Sequence, residues 1–287
     1  MYKSILNGVT PLDTDGNKIQ CHGGKIYHFN NKYYWIGENK ELTDGISNIW
    51  HNGVRCYESE DLLNWKSDGI IVEASELESS TLNRSSYMDR PHVLYNKKND
   101  EYVMWLKIMN KDDTQDMTIL KSKDILGPYE LIKEHYHPFD FSTGDFDLVL
   151  DDDGKAYWFF EMVHFGFAVT ELEDGFMNIK KGTLHILEEG TRPPYTREAM
   201  AYFNYKDHHY LLTSGTTGYN PNPTIAYELE TITGPVIKKF SPLVNDINNN
   251  SFNSQISGVF KVSDNLYLSI ADRWLPYSLN SYDNIKV

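Results

Sequence analysis

Five short polar clusters carry side chains that could share one piece of chemistry: His22-Gly23-Gly24, Asp89-Arg90-Pro91, Gly144-Asp145-Phe146-Asp147, Arg197-Glu198-Ala199 and Asn253-Ser254-Gln255. Three bring carboxylates, one an imidazole and one an amide. Carboxylates gathered in one pocket cannot all ionise easily, so one is held protonated beside another that stays charged. Cleavage of a glycosidic bond needs that division between acid and base. Any one of these acids alone also reads as a turn cap or as an ion-pair partner of Arg90 or Arg197. What points to a shared site is that every cluster falls at the same phase of a repeat.

The repeat is a pair of apolar, aromatic-rich runs joined by a polar turn, and it occurs at 25–38, 92–105, 148–161, 200–213 and 258–270. The turns recur at intervals of about 54 to 68 residues, a spacing that marks propellers, solenoids or arrays. β-Branched and aromatic residues fill both arms and Asn, Asp, Gly and Lys fill the turns, so each copy predicts a β-hairpin. Further strand-like pieces, such as Gly53 to Tyr57, Met117 to Leu120 and Phe167 to Thr170, bring each unit to about four strands, the size of a propeller blade. The chain therefore reads as all-β, a five-bladed β-propeller forming a single catalytic domain over residues 1–287. The first strand of each blade lines the channel of a propeller and the strand starts converge on one face, so the polar clusters become neighbours. Turns such as Ser59 to Trp65 and Ser122 to Tyr129 pair a backbone-capping Ser and Asp with an aromatic that can pack between blades.

A net charge of −14 disfavours nucleic acid and anionic membrane as partners, since both need a basic surface, and is compatible with a neutral ligand. The two cysteines, Cys21 and Cys56, give neither a zinc spacing nor a disulfide framework and read as buried free thiols. The N-terminus has no apolar run of signal-peptide length, so the expectation is a cytoplasmic protein, or a secreted one whose signal is absent from this sequence. A monomer is expected.

His22-Gly-Gly, Tyr34 to Glu38, Gly53 to Tyr57, Arg90-Pro91, Asp151 to Tyr157, Arg197-Glu-Ala199, Thr213 to Gly218, Phe252 to Gln255 and Asp272-Arg-Trp274 resemble glycoside hydrolase family 43, and most of all its exo-β-1,3-galactanase branch. The resemblance runs from about residue 18 to about residue 276 and implies a five-bladed propeller that hydrolyses glycosides with inversion. It makes Glu198 the general acid, Asp145 the carboxylate that tunes it, Gln255 the amide beside the attacking water, and Glu38 a binder of sugar hydroxyls. It departs from most of the family in having His22-Gly23-Gly24 where an aspartate base is usual. It departs from the galactanase branch in having Asp89, one methylene shorter than the glutamate that precedes Arg-Pro there. Asp89, with Gln255, is assigned to hold the water.

His22, Arg90, Arg197, Thr216, Tyr219 and Trp274, with Arg273, are expected to contact the sugar. No cofactor is required, although the resemblance also admits a structural calcium ion in the channel, near His22 or His164. Asp151-Asp-Asp-Gly154 lacks the ligand spacing of a calcium loop and reads as a hairpin turn. The function implied is an inverting, exo-acting hydrolase of a neutral plant-type glycan, β-1,3-galactan first and an arabinofuranoside or xyloside second. A carbohydrate-binding propeller without catalysis is the alternative of another class.

Overall fold

The computed structural model describes residues 2–274. Four sheets of four antiparallel strands and one of two follow in chain order. Blade 1 holds β1 (His22–Phe29), β2 (Lys32–Glu38), β3 (Val54–Ser59) and β4 (Lys66–Val72). Blade 2 holds β5 (Tyr87–Asn96), β6 (Glu101–Met109), β7 (Gln115–Ser122) and β8 (Glu130–Tyr136), and blade 3 holds β9 (Thr143–Leu150), β10 (Ala156–Met162), β11 (Gly166–Glu171) and β12 (His185–Glu188). Blade 4 holds β13 (Arg197–Tyr205), β14 (His208–Gly215), β15 (Ile225–Leu229) and β16 (Val236–Phe240), and blade 5 holds β17 (Ser254–Ser263) and β18 (Leu266–Arg273). This is the β-propeller that the repeat predicts.

The inner strands pack in a closed order, β1 on β5, β5 on β9, β9 on β13, β13 on β17, and β17 back on β1. Each of five apolar clusters fills one seam between neighbouring blades. That is why β10, Ala-Tyr-Trp-Phe-Phe-Glu-Met, is buried along its whole length: a middle strand faces a neighbouring blade on both sides. The last seam joins Ile19, Cys21, Ile26 and Trp65 to Ile270, so the ring closes within the described residues. The segment 282–287, which the sequence makes the last strand if the ring is to close through it, lies outside them.

The expected punctuation is in place. Ser59 Oγ accepts from the backbone N–H groups of Asp61 and Leu62, and Asp61 Oδ1 from those of Leu63 and Asn64, which aims Trp65 into its seam. Asp151 to Gly154 form the β9–β10 turn, closed by Gly154 N–H donating to the Asp151 carbonyl at 3.0 Å. Cys21 and Cys56 are buried free thiols.

One irregularity recurs. Every inner strand carries a β-bulge near its start, between His22 and Lys25, Asp89 and His92, Thr143 and Phe146, Glu198 and Ala201, and Ile256 and Gly258. A bulge inserts one residue and re-aims the side chain next to it. In blades 1, 2 and 4 the residue after the polar one is left-handed, at Gly23 (φ 59°), Arg90 (φ 50°) and Ala199 (φ 55°). Glycine takes that conformation freely, whereas for Arg90 and Ala199 it costs about 1–2 kcal/mol each.

Candidate active site

The bulges turn His22, Asp89, Asp145, Glu198 and Gln255 into one polar centre at the channel mouth. Opposite each stands a polar residue near the end of the blade's second strand: Glu38 across from His22, Lys107 from Asp89, Ser214 from Glu198 and Asp272 from Gln255. In blade 3, Glu161 takes that place near the end of β10. Lys107, Asp272 and Glu161 are the residues that the reading of polar clusters misses. Their signal was present, since each interrupts an otherwise apolar strand just before its end.

At the middle, Arg90 is 1% exposed; its Nε is ion-paired with Asp145 Oδ2 at 2.9 Å, and it donates from Nη2 to Gln255 Oε1 at 2.9 Å and from Nη1 to the Ile256 carbonyl at 3.3 Å. Gln255 Nε2 donates in turn to Glu198 Oε1 at 2.9 Å. Asp145 also accepts from the Ala199 N–H at 3.1 Å and from the Lys107 ammonium, which reaches Asp89 Oδ2 at 3.2 Å. On the other side His22 Nδ1 lies 2.8 Å from Glu38 Oε2 and 3.4 Å from Asp89 Oδ1, and the Gly23 N–H donates to Asp272 Oδ2 at 2.9 Å.

Charge compensation is therefore stronger than the sequence suggests: four cationic groups, His22, Lys40, Arg90 and Lys107, sit among the acids. They sort the carboxyls unequally. Burial, and then the charges of Asp145 and Glu161, push Glu198 well above the usual carboxylate range against Lys107 and Arg90. Burial works the same way on Asp89, but Lys107, with His22 and Arg90, outweighs it and holds Asp89 well below that range. Asp145 is likewise held down against burial by Arg90 and Lys107. Burial lowers His22, yet Asp272, Asp89 and Glu38 together raise it to about 10. Glu198 and Asp89 are only partly buried, whereas Glu38, Asp145 and Asp272 are fully buried.

Five residues expected to meet the sugar have polar groups engaged within the protein. Glu38 is 0% exposed and has both oxygens taken, Oε1 by Lys40 Nζ at 2.5 Å and Oε2 by His22, so it orients the imidazole. The Arg90 guanidinium is spent on Asp145, Gln255 and a backbone carbonyl. Arg197 donates to Thr213 Oγ1 and to the carbonyls of Thr213 and Pro223, bracing blade 4. Thr216 donates its hydroxyl to the Thr196 carbonyl and closes its own loop. Tyr219 and Trp274 do come together, edge to face with centroids 5.8 Å apart. Tyr219 remains partly exposed, and Trp274 Nε1 is buried without a hydrogen-bond partner among the described residues. Arg273 donates to the Gly8 carbonyl.

His22, Glu38 and Asp89 bring ligand atoms within 4.8 Å of one another, which raises the question of a metal. The set does not suit a divalent cation, because Lys40 and Lys107 already face its two carboxylates and the imidazole is drawn toward its protonated form. Deeper in the channel Asp147 is 0% exposed and paired with Lys25 Nζ at 2.5 Å and His92 Nδ1 at 3.1 Å. Near His164, the imidazole Nδ1 is turned to Glu161 Oε1 at 3.1 Å.

No curated protein matches the chain. Solved structures do. A β-1,3-galactosidase of glycoside hydrolase family 43, with galactodeoxynojirimycin, is 27% identical at a TM-score of 0.83, covering 96% of this chain and 92% of its own. The exo-β-1,3-galactanase of Phanerochaete chrysosporium, with β-1,3-galactotriose, is 26% identical at a TM-score of 0.83 and covers 96% of this chain, which spans 62% of its length. The exo-β-1,3-galactanase of Clostridium thermocellum is 27% identical at 0.83 over 98% of this chain and 60% of its own. The family model for glycosyl hydrolases family 43 matches residues 20–265, nearly the whole propeller and all five polar clusters. The chain belongs to that family, and it is a glycoside hydrolase acting on carbohydrate.

Proposed function

We propose that the protein is an inverting, exo-acting hydrolase that removes terminal galactose from β-1,3-linked galactan. The observation that carries the reading is the pairing at the channel mouth: of the central acids, Glu198 and Asp89 are the two that stay partly open, and their surroundings drive them in opposite directions. Such a split assigns the acid and the water-holding carboxylate. Glu198 carries a proton near neutral pH. Its Oε1 accepts from Gln255, which leaves Oε2 to donate to the leaving glycosidic oxygen. Asp145, ionised between Arg90 and Lys107, keeps that proton on Glu198. Asp89 stays charged and accepts a hydrogen bond from the attacking water. A carboxylate held so low is a weak base, so most of its contribution comes from positioning.

The choice of galactose is supported by the β-1,3-galactosidase and exo-β-1,3-galactanases among the similar structures, and by Gln255 and the His22-Gly-Gly start. No metal enters the mechanism, and Tyr219 with Trp274 supplies an aromatic wall for the sugar.

Oligosaccharides of β-1,3-galactan, arabinan and xylan, with the product anomer followed by NMR, test the reading. Cleavage of the galactan oligomers with inversion is expected; retention, or turnover of only the other two, rejects it. Glu198→Gln should lower kcat on β-1,3-galactobiose by about 10²–10⁴ while sparing an activated aryl galactoside, whose leaving group needs no proton. Asp89→Asn should slow both.

A further inference from the structure

Just before Gln255 the backbone takes a course that its residue types do not favour. Ser251, Phe252 and Asn253 are left-handed in succession, at φ 56°, 55° and 61°, and the chain becomes extended at Ser254, where β17 begins. A single asparagine adopts this conformation readily, but three non-glycine residues in a row are strained. Packing does not explain it, because Phe252 is 56% exposed. Hydrogen bonds hold the turn instead. The Ser251 N–H donates to Asp246 Oδ2 at 2.7 Å, the Asn253 N–H to the Asn250 carbonyl at 3.0 Å, and Asn250 Nδ2 to Asn253 Oδ1 at 2.8 Å. Backbone strain kept in place by its surroundings, two residues from a polar group of the centre, calls for a functional reason.

The reason lies in what Ser251 touches. It is 2% exposed, and its hydroxyl donates to the Asn222 carbonyl of blade 4 at 2.8 Å while accepting from the Thr224 N–H at 2.7 Å. With its one hydrogen spent on Asn222, it also accepts from the Thr224 hydroxyl at 2.8 Å, so its bonding capacity is filled. Asn222 in turn clamps the end of β14. Its Oδ1 accepts from the Gly215 N–H at 2.5 Å and from Ser214 Oγ at 3.1 Å, and its Nδ2 donates to the Gly215 carbonyl at 2.9 Å. Ser214 is the strand partner of Glu198. Behind the centre, therefore, a chain through Ser214, Asn222 and Ser251 joins the two backbones that carry Glu198 and Gln255.

Resting on the assignment of Glu198 as the acid, we propose that Ser251 and Asn222 are positioning residues for its proton transfer. They fix the separation between β13 and the start of β17, so that the Gln255 amide stays on Glu198 Oε1 and Oε2 is left for the glycosidic oxygen. Gln255 cannot follow a displaced Glu198 freely, because its own Oε1 is held by Arg90 at 2.9 Å. A shift of the turn by about 1 Å is enough to misalign the acid and slow the step by up to about 10²-fold.

The test is the ratio of kcat/KM on β-1,3-galactobiose to that on p-nitrophenyl β-galactoside, whose leaving group needs no proton. The fraction of folded enzyme cancels in this ratio, so a role in folding alone leaves it unchanged. Ser251→Gly removes the hydroxyl and still permits the left-handed backbone. It should lower the ratio by about tenfold or more, through kcat on the disaccharide with KM little changed. Asn222→Ala should do the same, and the double variant should lose no more than the stronger single one, because both cut one chain. Phe252→Gly relieves the same strain with every tie intact and should keep the ratio. An unchanged ratio in Ser251→Gly and Asn222→Ala, a multiplied loss in the double variant, or an equal loss in Phe252→Gly each overturns the positioning role. Glu198→Gln is the reference. If it lowers the ratio and Ser251→Gly does not, the positioning fails and the acid assignment stands; if neither lowers it, or the unaltered enzyme leaves both galactosides intact, the proposed function fails and takes the positioning with it.

Discussion

Lys107 is the residue on which the electrostatics of the centre turn. One ammonium bridges Asp89 at 3.2 Å and Asp145, and it also acts on Glu198. All of these groups bind protons more readily without it, so the sign of the pH effect is fixed. In the proposed mechanism Asp89 acts ionised, and its pKa rises when the cation is lost, moving the acid limb of the kcat/KM profile to higher pH. Glu198 acts there in its protonated form, and its pKa rises too, moving the alkaline limb the same way. Lys107→Met is therefore expected to shift the whole bell toward alkaline pH as well as to lower its height. A fall in height with both limbs in place would assign Lys107 to folding alone. The short Asp89 stands across from this lysine on β6, with their charged groups 3.2 Å apart.

At the scale of the element, the recurrent bulge matters more than the strands it interrupts. A regular strand would alternate its side chains between the two seams and direct few of them into the channel. One inserted residue at the start of each inner strand breaks that alternation and aims a functional group at the axis. At Ala199 the left-handed backbone and a fully buried Cβ leave no room for a branched side chain. Ala199→Val should lower the melting temperature, with a loss of roughly 2–3 kcal/mol from strain and overpacking, and it should depress kcat through Glu198. Thermal denaturation together with kinetics on an aryl galactoside checks both. Hairpins, their turns and the order of the clusters were legible in the sequence, because turn chemistry and apolar runs are local signals. The bulges were not, since only at Gly23 does the residue type announce the conformation that Arg90 and Ala199 also adopt.

The ring as a whole is held by apolar seams around its circumference and by one ionic tie across its axis. Lys25 of blade 1 reaches Asp147 of blade 3 at 2.5 Å and the Leu148 carbonyl at 3.2 Å, and Asp147 also accepts from the Tyr202 N–H of blade 4 at 2.9 Å. Removing one partner of such a pair leaves a buried charge uncompensated, so Lys25→Met should destabilise the fold by about 3–5 kcal/mol, while Lys25→Met with Asp147→Asn should recover part of that loss. Urea denaturation of the two variants measures the difference. Asp147 is held below its ordinary value by Lys25 and His92 against burial. Its contribution to stability is therefore present at neutral pH and fades as pH falls below about 4, the range of an unpaired aspartate.

By itself, the sequence determined the blades and their order, because a repeat with a polar residue at constant phase can bury its apolar faces only by closing into a ring. It placed Glu198, Asp145, Asp89, Gln255 and His22 at one centre. The tertiary structure alone decided which of those groups face a ligand and which are spent on one another. Arg90, Arg197, Thr216 and Glu38 carry the right chemistry for a sugar, yet their hydrogen bonds are used inside the protein. Lys107, Asp272 and Glu161 join the centre from the second strands. The reason is physical: a side chain's type is local, but its partners, and hence its charge state and freedom to meet a substrate, are set by groups that only the closed ring brings within hydrogen-bonding distance.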